Sequence, residues 1–136
     1  MLSKRAKYAI KTLIYIYENE GSSPVSAKSI SDNENIPFKF LEKILRELRQ
    51  HKLIRSERGA VGGYRFLKDP NTISVADIMR IVDGPIALLP CVSENFYEKC
   101  AECVDEDTCE LRRLFNRLRD QMLPILEETI VDLSKK

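Results

Sequence analysis

Leu53-Ile54-Arg55-Ser56-Glu57-Arg58-Gly59-Ala60-Val61-Gly62-Gly63-Tyr64-Arg65-Phe66-Leu67 is the stretch whose reading decides the fold. Two short alternating runs, 53–57 and 64–67, flank a glycine-containing tip, which is the pattern of a β-hairpin. Ahead of it, Pro37 suits a first helical turn and opens a helix expected to reach about Gln50. Phe38, Leu41, Ile44, Leu45 and Leu48 form its inward stripe, and Lys39, Phe40, Glu42, Lys43, Arg46, Glu47 and Arg49 face outward. Further back, Ser26 caps a short helix from Ala27 to about Asp32, with Ala27 and Ile30 inward, before the turn Asn33-Glu34-Asn35-Ile36. A short helix, a tight turn and a longer, base-bearing helix outline a helix-turn-helix, and the hairpin directly behind it reads as a wing. Gly62 and Gly63 permit positive φ and close approach, leaving Arg58 to project from the tip. A guanidinium there suits the narrow, electronegative minor groove of DNA.

The first helix is capped by Ser3 and carries Ala6, Ala9, Ile10, Leu13, Ile14 and Tyr17 at helical spacing, with the segment 18–24 ending it. Beyond the hairpin, Ser74 and Asp77 make a capping box for a fourth helix, whose inner face is Val75, Ile78, Met79 and Val82 and which Asp83-Gly84-Pro85 ends. From about Asp105 a long helix is expected, with Leu111, Leu114, Phe115, Leu118, Met122, Ile125, Leu126 and Ile130 along one side. At about 1.5 Å per residue it would span roughly 40 Å, more than a small domain needs for its own core. Its stripe therefore predicts pairing with a second copy, although an ordinary core helix folded back on the first helix would carry the same pattern. Pro124 should kink it near Asp120.

All four cysteines fall within Cys91 to Cys109. The surrounding loop is acidic and has neither strand alternation nor a helical stripe to hide them. The 136 residues are enough to fold without covalent staples, and no apolar run reaches membrane-span length. A cytoplasmic protein follows as the expectation, and clustered thiols in a reducing compartment point to metal or redox chemistry rather than disulfides. The net charge of +1 hides a +7 front half (1–68) and a −6 back half (69–136). That asymmetry predicts a polyanion partner for the front, or else two differently solvated surfaces. With one histidine, His51, placed at a helix end, a histidine-based catalytic set is improbable, and no enzyme is expected.

The motifs Lys7-Tyr8-Ala9-Ile10, Phe40-Leu41-Glu42-Lys43-Ile44-Leu45 with Leu48-Arg49, Arg58 to Tyr64, Ser74 to Ile78, and the cysteine loop leading into a long helix resemble the IscR, NsrR and CymR group of bacterial winged helix-turn-helix regulators. The resemblance covers nearly the whole chain. It implies a homodimer on a palindromic DNA operator, with an iron-sulfur cluster as sensor in many members. By position it implies Cys91, Cys103 and Cys109 as cluster ligands, Lys39, Phe40 and Glu42 as base contacts, and Arg58 in the minor groove. Arg112 stands where a histidine ligand is found in some members and Lys7 where others have an acid; neither can ligate iron. Cys100 is then a candidate fourth ligand, with Glu102 or Asp105 as alternatives. Cys100-x2-Cys103 also resembles a zinc knuckle.

The resulting expectation is a mainly α protein with a small β wing. Residues 1–70 would be the winged helix-turn-helix, 71–90 a connecting helix and loop, 91–109 the cluster loop and 110–136 a long dimerisation helix. The candidate DNA-facing residues are Lys28, Lys39, Phe40, Glu42, Lys43, Arg46, Arg58, Gly59, Gly62, Gly63 and Tyr64. The expected cofactor is an iron-sulfur cluster, [2Fe-2S] ahead of [4Fe-4S], with a metal-free thiol switch or zinc as alternatives at the same cysteines. Double-stranded DNA and a second copy of the chain are the expected partners, with no membrane and no small-molecule substrate. The contrasting reading is an iron-sulfur electron carrier or enzyme.

Overall fold

The computed structural model describes residues 2–134. Helix α1 (Lys4–Asn19) is the hub, packing against α2 (Ala27–Glu34), α3 (Phe38–Gln50), α4 (Val75–Val82) and α6 (Ile130–Leu133). Its Ser3 hydroxyl caps Ala6 N–H, as expected. The buried face, however, is Ala6, Ala9, Thr12, Leu13 and Ile16. Ile10, Ile14 and Tyr17 are half-buried flanks of that face, and the expected stripe was about one position out of phase.

Ser26 caps α2 through Ser29 N–H, and the helix ends on Asn35 in the left-handed region at φ 53°. Asparagine tolerates that conformation. The turn is pinned by Ser31, whose hydroxyl donates to Ile36 O at 2.6 Å, and by the buried Ile36 side chain. In α3, Leu41, Ile44, Leu45 and Leu48 are buried as expected, but Phe38 is 46% exposed. Pro37 is the N-cap residue, so Phe38 begins the helix at the rim of the core.

The wing is an antiparallel pair, β1 (Ile54–Glu57) and β2 (Gly63–Phe66), in register Ile54↔Phe66 to Glu57↔Gly63. Val25 bridges to Tyr64 with both backbone hydrogen bonds, which ties the wing to the segment between α1 and α2. At the tip, positive φ belongs to Gly59 (125°). Gly62 and Gly63 serve close approach alone: a Cβ on Gly63 would lie 2.5 Å from Val25 O, and one on Gly62 would lie 2.8 Å from Glu57 O. Arg65 fastens the base of the hairpin, donating to Gly21 O and Ser22 O at 2.8 and 2.7 Å and pairing with Glu57 at 3.0 Å.

The capping box of Ser74 and Asp77 forms as read from the sequence. The long helix is shorter than expected: α5 (Glu110–Leu126) has 17 residues, so it spans about 25 Å. The chain leaves helix at Glu127, three residues past Pro124, and a second capping box, Thr129 with Asp132, starts α6. Ile130 is therefore a correction. It is fully buried in the principal core, and its N–H bonds Ile73 O at 3.0 Å, so it offers no surface to another copy. Ile73, Ile78 and Ile130 join the core built by α1 to α3, while Ala76, Ile86 and Leu123 form a second cluster under α5.

Candidate nucleic-acid interface and cysteine cavity

Lys39, Glu42, Lys43 and Arg46 are exposed along α3, and Arg58 is exposed at the wing tip. None of the ion pairs among the described residues engages any of them. Neighbouring charges are spoken for: Glu47 is paired with Arg5 on α1, and Arg49 donates to Ser56 on β1 at 3.3 Å. Helix α3 thus keeps three unpaired cations and one carboxylate facing outward, with the core stripe fixing the helix behind them. Phe40 is half-buried, its ring edge-to-face with Tyr8 at 5.5 Å between centroids, so it helps seat α3 on α1. Lys28 lies on α2, paired with Asp32 at 2.8 Å; a hydrogen bond and charge from that carboxylate raise its pKa. Tyr64 is half-buried within the wing, and Gly59 and Gly62 shape the tip.

The four cysteines come from separate places. Cys91 lies in a short 3₁₀ turn (Pro90–Val92) and is 7% exposed. Cys100 is exposed, with its carbonyl accepting from Cys103 N–H at 3.2 Å. Cys109 is the N-cap of α5, its Sγ accepting from Arg112 N–H at 3.5 Å. All four line one cavity of about 710 Å³, together with Glu102, Asp105, Leu111 and Arg112. Partial burial pushes the Cys103 thiol above its ordinary pKa, and charge at Cys109, Glu106 and Cys100 adds to this while Lys99 opposes it. A metal binding there would have to displace that proton.

Two contacts that the sequence did not reveal hold the cavity's walls. Arg119 reaches from α5 to donate to Val92 O at 2.7 Å, tying the Cys91 turn to the helix. Tyr97 donates to Glu106 across the loop, a hydrogen bond that raises the tyrosine pKa. Neither has a periodicity signature, since each joins residues made neighbours by the fold.

Soft thiols suit an iron-sulfur cluster or zinc, so the donor set fits such a group in chemistry and in sharing one cavity. Among the described residues, however, no three His, Cys, Asp or Glu are placed to hold a metal ion. Holding one would require the 91–109 loop to draw in.

On α5, Leu111, Leu114, Leu118 and Ile125 are 60, 52, 41 and 67% exposed among the described residues, an apolar stripe at helical spacing that faces outward. Phe115, Met122 and Leu126 are half-buried at its edge, the latter two on the second cluster. No helix among the described residues is long and apolar enough to cross a membrane.

Helix pair, wing and outward cations together define a winged helix-turn-helix DNA-binding protein. The chain matches the Rrf2 family, described as an iron-dependent transcriptional regulator, over residues 2–136, and it belongs to that family. It is 36% identical over 118 residues to an rrf2-like HTH-type transcriptional regulator of Rhodobacter capsulatus, covering 85% of this chain and 79% of that one. The solved structure of CymR, the global cysteine regulator of Bacillus subtilis, superimposes with a TM-score of 0.80 at 30% identity, covering 98% of this chain and 95% of that one. IscR of Escherichia coli is 27% identical over 125 residues, 92% of this chain and 74% of that one. The protein is thus a DNA-binding transcriptional regulator of a family of regulators, not of enzymes.

Proposed function

We propose that this regulator acts as a homodimer on a two-fold operator and that metal held by its cysteine cavity, an iron-sulfur cluster in preference to zinc, sets its affinity for DNA. The observation that carries the reading is the meeting of Cys91, Cys100, Cys103 and Cys109 on one cavity at the start of α5. That helix also carries the uncovered apolar stripe through which two copies would pair. The iron-dependent description of the family and the similarity to IscR favour iron over zinc.

In this mechanism Lys39, Lys43 and Arg46 meet phosphates and base edges in the major groove, Glu42 selects cytosine through its N4 donor, and Arg58 enters the minor groove. Cys91, Cys103 and Cys109, with Cys100, Glu102 or Asp105 as the further ligand, would hold the metal. A bound cluster would supply iron that oxidants or nitric oxide can reach. Ordering of the loop would pull on the Cys91 turn, and Arg119 passes that movement to α5 and so to the partner's reading head. DNA affinity then differs between two states of the loop.

A second reading, a metal-free thiol switch, draws on the open arrangement of the donors, which leaves Cys100 exposed while Cys91 is buried. The two are separated by purifying the full chain without oxygen and recording its absorption spectrum with iron and sulfide counts. Brown or red protein with matching iron and sulfide supports the cluster, colourless zinc-bearing protein supports zinc, and colourless metal-free protein supports the thiol switch.

A further inference from the structure

We propose that Arg112, a residue lining the cysteine cavity whose Nε–H is orphaned and shielded from solvent, is the hydrogen-bond donor to thiolate sulfur when metal occupies that cavity. The inference rests on the metal reading of that cavity. Arg112 lies in the first turn of α5, one turn past Cys109, and its backbone N–H already reaches Cys109 Sγ at 3.5 Å. Its Nε is closed to solvent and has no hydrogen-bond partner, one of two such side-chain atoms among the described residues. The side chain joins none of the ion pairs among the described residues either, although Glu98, Glu102 and Asp105 line the same cavity.

Buried polar groups are almost always paired, because a donor that gives up water without gaining an acceptor destabilises the fold. The cavity that Arg112 lines holds all four cysteines, so the missing acceptor has an obvious source. Three thiolates and a fourth thiolate or carboxylate around a divalent metal leave the site anionic overall, and a guanidinium at its wall would supply a charge-assisted hydrogen bond and offset that charge. The guanidinium remains protonated and has no lone pair to give, so it donates to sulfur and cannot ligate the metal. Lys99 also lines the cavity but is exposed, where water screens it.

The test is anaerobic titration of the reduced full chain with Co(II), followed through thiolate-to-cobalt absorption, with thermal unfolding of the metal-free protein alongside. Arg112→Gln should weaken cobalt binding about tenfold, the size of one lost charge-assisted hydrogen bond. Arg113→Gln, which removes an exposed arginine of the same helix, should change it by less than about twofold. Metal-free Arg112→Gln should unfold no earlier than the wild type, placing the loss in the bound state. Equal cobalt affinity in wild type and Arg112→Gln would overturn the proposal. So would an equal loss in Arg113→Gln, or earlier unfolding of metal-free Arg112→Gln. A wild type that takes up no cobalt would overturn the metal reading as well, whereas the former results strike only at the arginine.

Discussion

Gly63→Ala is the substitution whose consequence can be followed furthest. An added Cβ would lie 2.5 Å from Val25 O, 2.6 Å from Val25 C and 3.0 Å from Ser26 N, all backbone atoms that cannot rotate away. The wing would have to part from the 21–26 segment, straining the two hydrogen bonds of the bridge, Val25 N to Tyr64 O at 3.0 Å and Tyr64 N to Val25 O at 2.8 Å. Two backbone hydrogen bonds at about 1 kcal/mol net each, with an overpacking term of similar size, put the loss near 3 kcal/mol. For a chain of this length that lowers Tm by about 10 °C. Circular dichroism melts measure it, with Gly21→Ala as control, since a Cβ there meets nothing within 4 Å. Gly59→Ala is a useful intermediate: its space is open but its φ of 125° is strained for alanine, at a cost of about 1 kcal/mol. A Gly63→Ala melt within about 2 °C of wild type would refute the view that the wing is clamped to the α1–α2 segment.

Arg58→Ala should weaken specific DNA binding by about tenfold or more while Asp107→Asn leaves it unchanged, and the wild-type affinity should fall with a log–log salt slope of about −5 if a dimer makes roughly six phosphate contacts; equal effects of the two variants in gel-shift titrations would remove Arg58 from the interface. Leu114→Glu with Leu118→Glu should convert the assembly to monomers in light scattering and abolish operator binding without lowering helix content, because both side chains are exposed in the single subunit. Asp132 and Asp69 have pKa values lowered chiefly by backbone N–H donors, from Thr129 and Asn71, so their contribution to stability is present above the ordinary carboxylate range and lost as pH falls through the lowered values. Wild-type Tm should therefore drop more steeply with acid below about pH 4 than that of Asp132→Asn, and parallel curves would count against the α6 capping box.

The wing and its helix-turn-helix were legible because hairpin glycines, caps and a strongly amphipathic α3 all speak locally. The Ser74–Asp77 capping box was legible for the same reason. What stayed hidden depended on distant chain. Phe38 fits the α3 stripe by spacing, yet it sits at the helix start, where the core ends. Ile130 fits the α5 stripe, yet Thr129 and Asp132 restart the helix and turn Ile130 onto Ile73. That second box has the residue pattern of the first and could have been read from the sequence. Arg119 on Val92 O and the buried, unpartnered Nε of Arg112 have no sequence signature at all. The cysteine cavity stands between these cases: clustering predicted a shared site, whereas the spread of its donors comes from a loop whose conformation local pattern does not set.

The most direct measurement is operator affinity of the same full-chain preparation, isolated without oxygen, before and after metal is stripped from its cysteines, with a Cys91→Ser, Cys103→Ser, Cys109→Ser variant carried in parallel. Control by the cavity predicts that stripping changes wild-type affinity by at least about tenfold and leaves the triple variant unmoved. Identical affinities for loaded and stripped wild type would contradict it.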